Sequence, residues 1–331
     1  MTIMPIFIPH AGCPHQCIFC NQKTISGQKL SSLAAAREQI ERWLPRLQPG
    51  RANEAAFYGG SFTALSPKLQ ESLLGETDKL LASGVINSVR LSTRPDCIDE
   101  NTLARLCAHG VKTVELGVQS LDDEVLAAAE RGHTAAAVPA AVALLRAYGF
   151  EVGVQLMVGM PKQSVTSLEQ TVSEVAALKP DLARIYPLLV IKSTPLAVMY
   201  EQQQYQPLSL AEAVVQTAYV YRHLTAAGVK VIRMGLQPDD ELCMPGNIVA
   251  GPFHPAFGEL VAAQLYREQF TPQLQQLAQA GIKRVRFVLP PKEESKLRGL
   301  KNANLHYWYN IMEEISFVRS KEVQNVCVES I

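Results

Sequence analysis

The sequence predicts an α/β fold: a partial (β/α)6 barrel of the TIM type followed by a small C-terminal α+β extension. Three observations predict it. Short apolar runs that read as strands alternate with amphipathic stretches that read as helices, at roughly thirty-residue spacing, the pattern of βαβ units and a parallel sheet. Helix candidates carry start and stop residues, with Asp99, Asp122 and Thr134 before them and Gly84, Gly110 and Gly149 after them. Near Leu236 the rhythm stops, and Pro, Gly and polar residues interrupt the chain in PDDELCMPGN and GPFHPAFGEL.

Strands are expected at Ile3–Pro9, Glu54–Tyr58, Ser88–Ser92, Thr113–Val118, Glu151–Val158 and Leu182–Leu188. Helices are expected at Leu33–Leu47, Pro67–Ser83, Glu100–His109, Asp122–Ala129, Ala135–Tyr148 and Ser167–Leu178. A further helix over Leu210–Ala227 leads through Gly228 into one more strand candidate, Lys230–Met234. Beyond the change of rhythm, helices near Ala256–Gln269 and Pro272–Ala280 precede a strand near Arg284–Leu289. The chain therefore divides into a core of residues 1–236 and an extension of residues 237–331.

The 331 residues are 47% hydrophobic, enough for a sizeable core, and 31 basic residues balance 31 acidic ones. Zero net charge carries no global signature of a nucleic-acid or membrane binder, although it is compatible with a local patch. The opening MTIMPIFIPH lacks the basic and apolar regions of a signal peptide, and no apolar run approaches the length of a membrane span. The expectation is a cytoplasmic protein with no membrane partner. In that compartment the 7 cysteines are ligands or core residues rather than disulfides.

Three of them fall together in Gly12-Cys13-Pro-His-Gln-Cys17-Ile-Phe19-Cys20, between the first strand and the first helix. That is the C-terminal edge of a barrel strand, where α/β barrels keep their chemistry. A short C-x-x-x-C-x-x-C loop turns three thiolates to one face, and three thiolates hold three irons of a 4Fe–4S cluster while leaving the fourth open. A structural zinc site is the alternative. It calls for four ligands, usually in two separated pairs. His10 or His15 offers a fourth donor, but no second pair is evident. Cys97, Cys107 and Cys327 read as packing residues, and Cys243 with His254 is a second candidate metal pair.

Further motifs stand at the strand ends: Phe57-Tyr-Gly59-Gly60-Ser61-Phe-Thr63, Ser92-Thr-Arg94-Pro-Asp96, Val114-Glu-Leu-Gly-Val-Gln119-Ser120, Glu130-Arg131-Gly132-His133, Gly153-Val-Gln155-Leu-Met157-Val-Gly159-Met-Pro161 and Arg184-Ile-Tyr186-Pro187. In the third of these, Glu115, Gly117 and Gln119 alternate with Val114, Leu116 and Val118, so the polar set shares one face. Taken in order with the cysteine loop, these motifs resemble the radical S-adenosylmethionine (SAM) superfamily. The likeness is nearest to the radical domain of the Elongator catalytic subunit and more distant to the oxygen-independent coproporphyrinogen oxidases. It covers roughly residues 3–236.

That resemblance implies that a 4Fe–4S cluster on Cys13, Cys17 and Cys20 binds SAM through its open iron. One electron then cleaves the sulfonium to a 5′-deoxyadenosyl radical, which takes a hydrogen atom from substrate. It further implies a cofactor-binding set. Gly59, Gly60 and Ser61 receive the methionine amino group, Arg131 grips the carboxylate, and Ser92 and Gln155 reach the ribose. Gln119 faces the cofactor, Met157 lies at the adenine seat, Phe19 joins the set from the cysteine loop, and Tyr186 is a candidate catalytic residue at the barrel mouth. An electron donor such as a ferredoxin or flavodoxin is implied, and tRNA is a candidate partner, with a small molecule or a protein as the alternative substrate and a non-catalytic iron–sulfur or zinc protein as the alternative class. Without the resemblance, each position keeps a structural reading: the glycine pair as a tight turn, Arg131 as complement to a helix end, Tyr186 as core.

The tail departs from the Elongator pattern. About ninety-five residues follow Leu236, and they contain no Gln/Arg-x-x-Gly-x-Gly/Ala loop to cradle coenzyme A. The loop Gly251–Glu259 reads either as a substrate-proximal loop or as a structured turn with core phenylalanines. Between Lys283 and Lys301 seven basic residues stand against Glu293 and Glu294, with Tyr307, Trp308 and Tyr309 beyond them. Basic residues beside aromatics suit RNA phosphates and bases; a solvated charged face is the alternative.

Overall fold

The computed structural model describes residues 2–28, 32–48, 50–238 and 240–331. The strands of the first half are β1 (Thr2–Phe7), β2 (Asn53–Tyr58), β3 (Ser88–Thr93), β4 (Val111–Gln119), β5 (Glu151–Val158) and β6 (Leu182–Pro187). They are followed by β7 (Val190–Ile191) and β8 (Lys230–Met234). Seven of these form one sheet in the order β1-β2-β3-β4-β5-β6-β8, with every neighbouring pair parallel. The sheet curls into a half-barrel. The expected six strands lie within two residues of their observed bounds, and the strand at 230–234 joins them as a seventh.

Alternation along each strand builds two different faces. Met4, Ile6, Phe57, Leu91, Leu116, Val154 and Ile185 point outward into the main hydrophobic cluster, against Ile40, Leu73, Leu103 and Val142 of the surrounding helices. The intervening residues point inward, and here the barrel is charged. Arg90 donates to Glu54 at 2.6 Å and to Glu115 at 3.0 Å, while Arg184 reaches Glu115 at 2.7 Å and the Tyr58 hydroxyl at 2.8 Å. All four charged residues are buried, Glu115 completely. Burial opposes the charge on Glu115, but Arg184 and Arg90, with Gln155, overcome it and hold its carboxyl below the usual range.

The half-barrel is open between its two edge strands, β1 and β8. The open side of β1 is closed off locally. Pro5 has no N–H to offer, and the Phe7 N–H and C=O are both taken by the side-chain amide of buried Gln39, at 2.8 and 3.0 Å.

The remaining strands are β9 (Ile248–Ala250), β10 (Arg284–Leu289), β11 (Glu314–Arg319) and β12 (Cys327–Ser330). β7 and β9 make an antiparallel ribbon, and β10 lies between parallel β11 and antiparallel β12. The latter sheet covers a second core built on Phe270, Phe287, Leu297 and Trp308.

Three expectations need correction. The two helices placed either side of Pro272 are one, Phe257–Gln279. A proline inside a helix costs about 3 kcal/mol, but Phe257 and Val261 anchor the first part in one cluster and Phe270 and Leu274 anchor the second in another. Each such burial contributes about 1.5–3 kcal/mol, which together outweighs the cost. Thr134 is not a cap: the helix begins at Ala137, and the preceding turn is held by the Asp123 carboxylate accepting from the Ala135 N–H at 2.7 Å. Trp308 is not available to stack on a base, because it is fully buried and donates from Nε1 to the Thr271 hydroxyl. Asp99 and Asp122 cap their helices as expected.

Candidate cofactor and active site

A cavity of about 770 Å³ opens at the C-terminal ends of the strands and runs down toward β1. Its size is that of pockets for small organic ligands. Cys13, Cys17, Phe19, Cys20, Gly59, Gly60, Ser61, Ser92, Gln119, Arg131, Gln155, Met157 and Tyr186 all line it. Residues singled out over most of the barrel's length thus meet in one place.

The cysteine loop follows β1 directly and is pinned to the loop after β2, with the His10 N–H bonded to the Gly59 C=O and the Ser61 N–H to the Ala11 C=O. The two loops pack backbone to backbone. A Cβ on Gly60 would lie 2.3 Å from the Ala11 oxygen, and one on Gly12 would lie 2.2 Å from the Ser61 oxygen, with Gly12 also at φ +73°. Gly60 therefore makes room for the cysteine loop, a role that the sequence reading, which expected approach to a ligand, did not contain.

Each cysteine sulfur has one polar neighbour. Cys13 Sγ lies 3.6 Å from Ser61 Oγ, Arg131 donates to Cys17 Sγ at 3.2 Å, and Gln22 donates to Cys20 Sγ at 3.6 Å. Burial and the neighbouring Cys17 push the Cys20 thiol up to about 12. A thiol held in that way gives up its proton only against a strong positive charge such as a metal's. Among the described residues no three His, Cys, Asp or Glu side chains converge on one point as ligands of a single ion do. Of the two candidate zinc histidines, His10 has its Nε2 taken by the Gln22 N–H, while His15 is exposed with its ring against Gly132.

Arg131 is buried, with two nitrogens on Cys17 and the Gly117 carbonyl and its Nε facing no partner. An orphaned donor at this position fits an anionic group. Its backbone is fixed in turn, because Arg94 donates to the Arg131 carbonyl at 2.5 Å and grips Asp96 through two bonds of 2.9 and 2.8 Å. Burial works against the Asp96 charge, and Arg94 outweighs it to hold the carboxyl below its ordinary value. Beside this knot, His133 is buried with no well-formed hydrogen bond, and burial together with Arg131 and Arg94 lowers its pKa to about 4.

Gln119 carries φ +66° at a break in the β4–β5 register, a strained position for a side chain other than glycine. Gln155 donates to the Ser92 hydroxyl and to Glu115, each at 3.1 Å, tying the cavity floor to the charged interior. Tyr186 is half-buried, and burial raises its pKa above the phenol range.

Some expectations fall outside this site. Cys243 is exposed and His254 accepts from the Ala256 N–H, and neither lines the cavity. The Gly251–Glu259 loop is a structured turn, with Phe257 and Phe253 packed in separate apolar clusters. In the 283–301 stretch, Arg284, Lys296 and Arg298 pair with Glu314, Glu293 and Glu294. Sequence reasoning missed the interior pairs of Glu54, Arg90, Glu115 and Arg184, and the cavity residues Arg42, Trp43, Arg46 and Arg233. A single charge inside an apolar strand, as in Val89-Arg90-Leu91 or Ala183-Arg184-Ile185, was the signal for the first group.

An open half-barrel with three thiols and two polar loops at one cavity is the architecture of an enzyme built around a reactive cofactor. The family model of the Radical SAM superfamily matches residues 7–175, and that of the Radical_SAM C-terminal domain matches residues 180–267. The chain belongs to the radical SAM superfamily, whose members bind a 4Fe–4S cluster and SAM.

Within that family the chain is homologous to the radical SAM region of Elongator proteins. It is 26% identical over 260 residues to the tRNA uridine(34) acetyltransferase of Methanocaldococcus infernus, covering 66% of this chain and 49% of that protein. It is 26% identical over 258 residues to human Elongator complex protein 3, covering 64% and 47%. The chain spans about half the length of these two relatives. Its fold matches that of the archaeal Methanocaldococcus infernus Elp3, N-terminally truncated, with TM-score 0.63 and 24% identity, over 81% of this chain and 63% of the other. Coproporphyrinogen III oxidase from Escherichia coli, a radical SAM enzyme, matches with TM-score 0.50 and 22% identity over 69% of this chain and 52% of that one.

Proposed function

We propose that this enzyme holds a 4Fe–4S cluster on Cys13, Cys17 and Cys20, binds SAM beside it, and takes a hydrogen atom from a tRNA nucleoside. The observation that carries this reading is the opening of all three cysteines onto the same cavity as Gly59, Gln119, Arg131, Gln155 and Met157. The tRNA part is supported by the activity named for the archaeal relative.

With SAM bound, the reduced cluster supplies one-electron cleavage and the 5′-deoxyadenosyl radical. The chain's own residues bind and orient. Ser61, Arg131 and Gln22 donate toward the three sulfurs and stabilise them as thiolates. Arg131, whose Nε has no partner, would hold the methionine carboxylate, and Arg94 keeps the backbone of Arg131 in place. Gln155 and Ser92 present a bonded amide–hydroxyl pair to the ribose, and Gln155 is oriented from below by Glu115. Phe19, Met157 and Leu188 give the cavity an apolar wall that would exclude water from the adenine. Tyr186 stands at the mouth, neutral and able to donate, where substrate enters. We place a division near residue 236, with residues 237–331 as an appended unit that contributes to substrate binding, and a ferredoxin or flavodoxin as electron donor.

The test is anaerobic reconstitution with iron and sulfide, then SAM and a reductant. About four irons per chain and release of 5′-deoxyadenosine are expected, with the Cys17→Ala chain colourless and the Cys243→Ala chain still brown. A wild-type chain that holds one zinc and releases no 5′-deoxyadenosine would overturn the reading.

A further inference from the structure

Among the described residues that line the cavity, six are arginines, Arg42, Arg46, Arg94, Arg131, Arg184 and Arg233, and none is an aspartate or glutamate. In a chain with 31 basic and 31 acidic residues this is a local excess that composition does not produce. Three of the six are committed elsewhere: Arg94 to Asp96, Arg184 to Glu115, and Arg131 to Cys17 and the Gly117 carbonyl. The other three form no ion pair among the described residues. Arg233 contacts the Gln237 amide, Arg46 lies over the Trp43 ring at 5.0 Å from its centroid, and Arg42 extends into solvent.

All three line the same cavity, from the two edges of the open sheet. Arg42, Trp43 and Arg46 lie at the end of the helix that packs on β1, and Arg233 lies on β8, so the two edges of the open sheet both contribute. Ile3, Pro5 and Phe7 of β1 also line the cavity wall. We infer that Arg42, Arg46 and Arg233, with Trp43 among them, form a cradle for the phosphates and a base of a single-stranded RNA segment at the open side of the half-barrel. The inference deepens the tRNA reading above and rests on it.

The chemistry favours a strand over other anions. Guanidiniums without carboxylate partners grip phosphates through paired donors, and Trp43, half-buried against the main core with Arg46 over its ring, would offer a base a stacking surface once Arg46 turns to a phosphate. A cavity of about 770 Å³ admits a cofactor and one small group. It has no room for a duplex, so the nucleotide that enters must be unpaired, as bases are when enzymes act on them.

The test is anisotropy of a fluorescein-labelled, unmodified tRNA transcript with the full chain, cluster reconstituted, at several salt concentrations. The Arg42→Gln/Arg46→Gln/Arg233→Gln chain should bind about tenfold more weakly, and its slope of log affinity against log salt should fall by about two, as loss of three single-strand phosphate contacts requires. Trp43→Leu should weaken tRNA about fivefold and leave inorganic polyphosphate binding unchanged. Lys283→Gln/Arg286→Gln/Lys292→Gln, in the appended unit, should weaken tRNA binding less than the cavity triple does. Thermal melts by circular dichroism establish that each chain is folded.

Wild-type binding of tRNA that the arginine triple leaves intact would overturn the cradle alone, and so would a larger loss from the C-terminal triple. Equal binding of a duplex RNA of the same length would overturn its single-strand character. Polyphosphate binding that depends on the three arginines, with no tRNA binding at low salt, would overturn the RNA reading and its cradle, leaving only an anion site. Arginine-dependent displacement by polyglutamate but not by tRNA would do the same in favour of an acidic protein.

Discussion

In the 283–301 stretch the basic residues are neighbours in sequence and three of the seven are ion-paired, whereas Arg42, Arg46 and Arg233 come to the cavity wall from distant parts of the chain and have no carboxylate partner among the described residues. In the stretch, Arg284, Lys296 and Arg298 have glutamate partners, Arg298 also covers Phe317, and Arg286 stands opposite Glu329 on β12. A charge run along a helix or strand is exposed to its own neighbours and is readily paired. Charges brought to one cavity by separate elements, as Arg42 and Arg46 by a helix end and Arg233 by β8, have no such neighbours to pair with. At the cavity floor a third arrangement appears: Arg184, which lines the wall, and Arg90 beneath it are neutralised by Glu115 and Glu54.

Four substitutions or conditions break or sharpen that contrast, and they differ in size. Glu115→Ala leaves two buried guanidiniums without their shared carboxylate and should cost about 3–5 kcal/mol in urea unfolding. Trp308→Ala should cost about 3–5 kcal/mol, as a core residue does and a surface base-stacking residue does not. Lowering the pH should come next. His133 titrates at about 4 in the fold, below its ordinary value. Between about pH 6.5 and 4 the unfolded chain takes up a proton that the native one refuses, so stability falls as pH falls through that window, by on the order of 2 kcal/mol. His133→Leu should flatten the slope, and a slope that persists would assign it to other groups. Smallest is Lys296→Ala, which removes a partly exposed pair with Glu293 and should change stability by no more than about 0.5 kcal/mol.

Most of the barrel was legible in the sequence because parallel strands buried on their outer face read as apolar runs, and glycines and aspartates mark the helix ends. That these residues would line one cavity was legible because the motifs fall at strand ends, so one edge collects them whatever the details of packing. The interior ion pairs were not read, since Glu54, Arg90 and Arg184 each look like surface residues until the inward face of the strand is known. Pro272 misled because a local rule was applied to a helix whose two halves are anchored in different cores. The role of Gly60 was invisible for another reason: the atom that excludes a side chain there, the Ala11 carbonyl oxygen, belongs to a loop forty-nine residues away in the chain. Trp43 and its arginines carried no motif. Only the cavity wall relates them to Arg233.

The treatment of the β1 edge bears on how the protein behaves at high concentration. A half-barrel that stays open exposes strand backbone, and exposed strand backbone is a template for a second copy of the chain. Pro5 and the Gln39 amide blunt that template at two positions of one short strand. Gln39 acts as a dummy neighbour, satisfying Phe7 in the manner of an adjoining strand while presenting nothing to which a further one could add. The slot can thus stay permanently unzipped without making the molecule self-adhesive. Gln39→Leu should undo this, and its light scattering should grow more steeply with concentration than that of the wild-type chain.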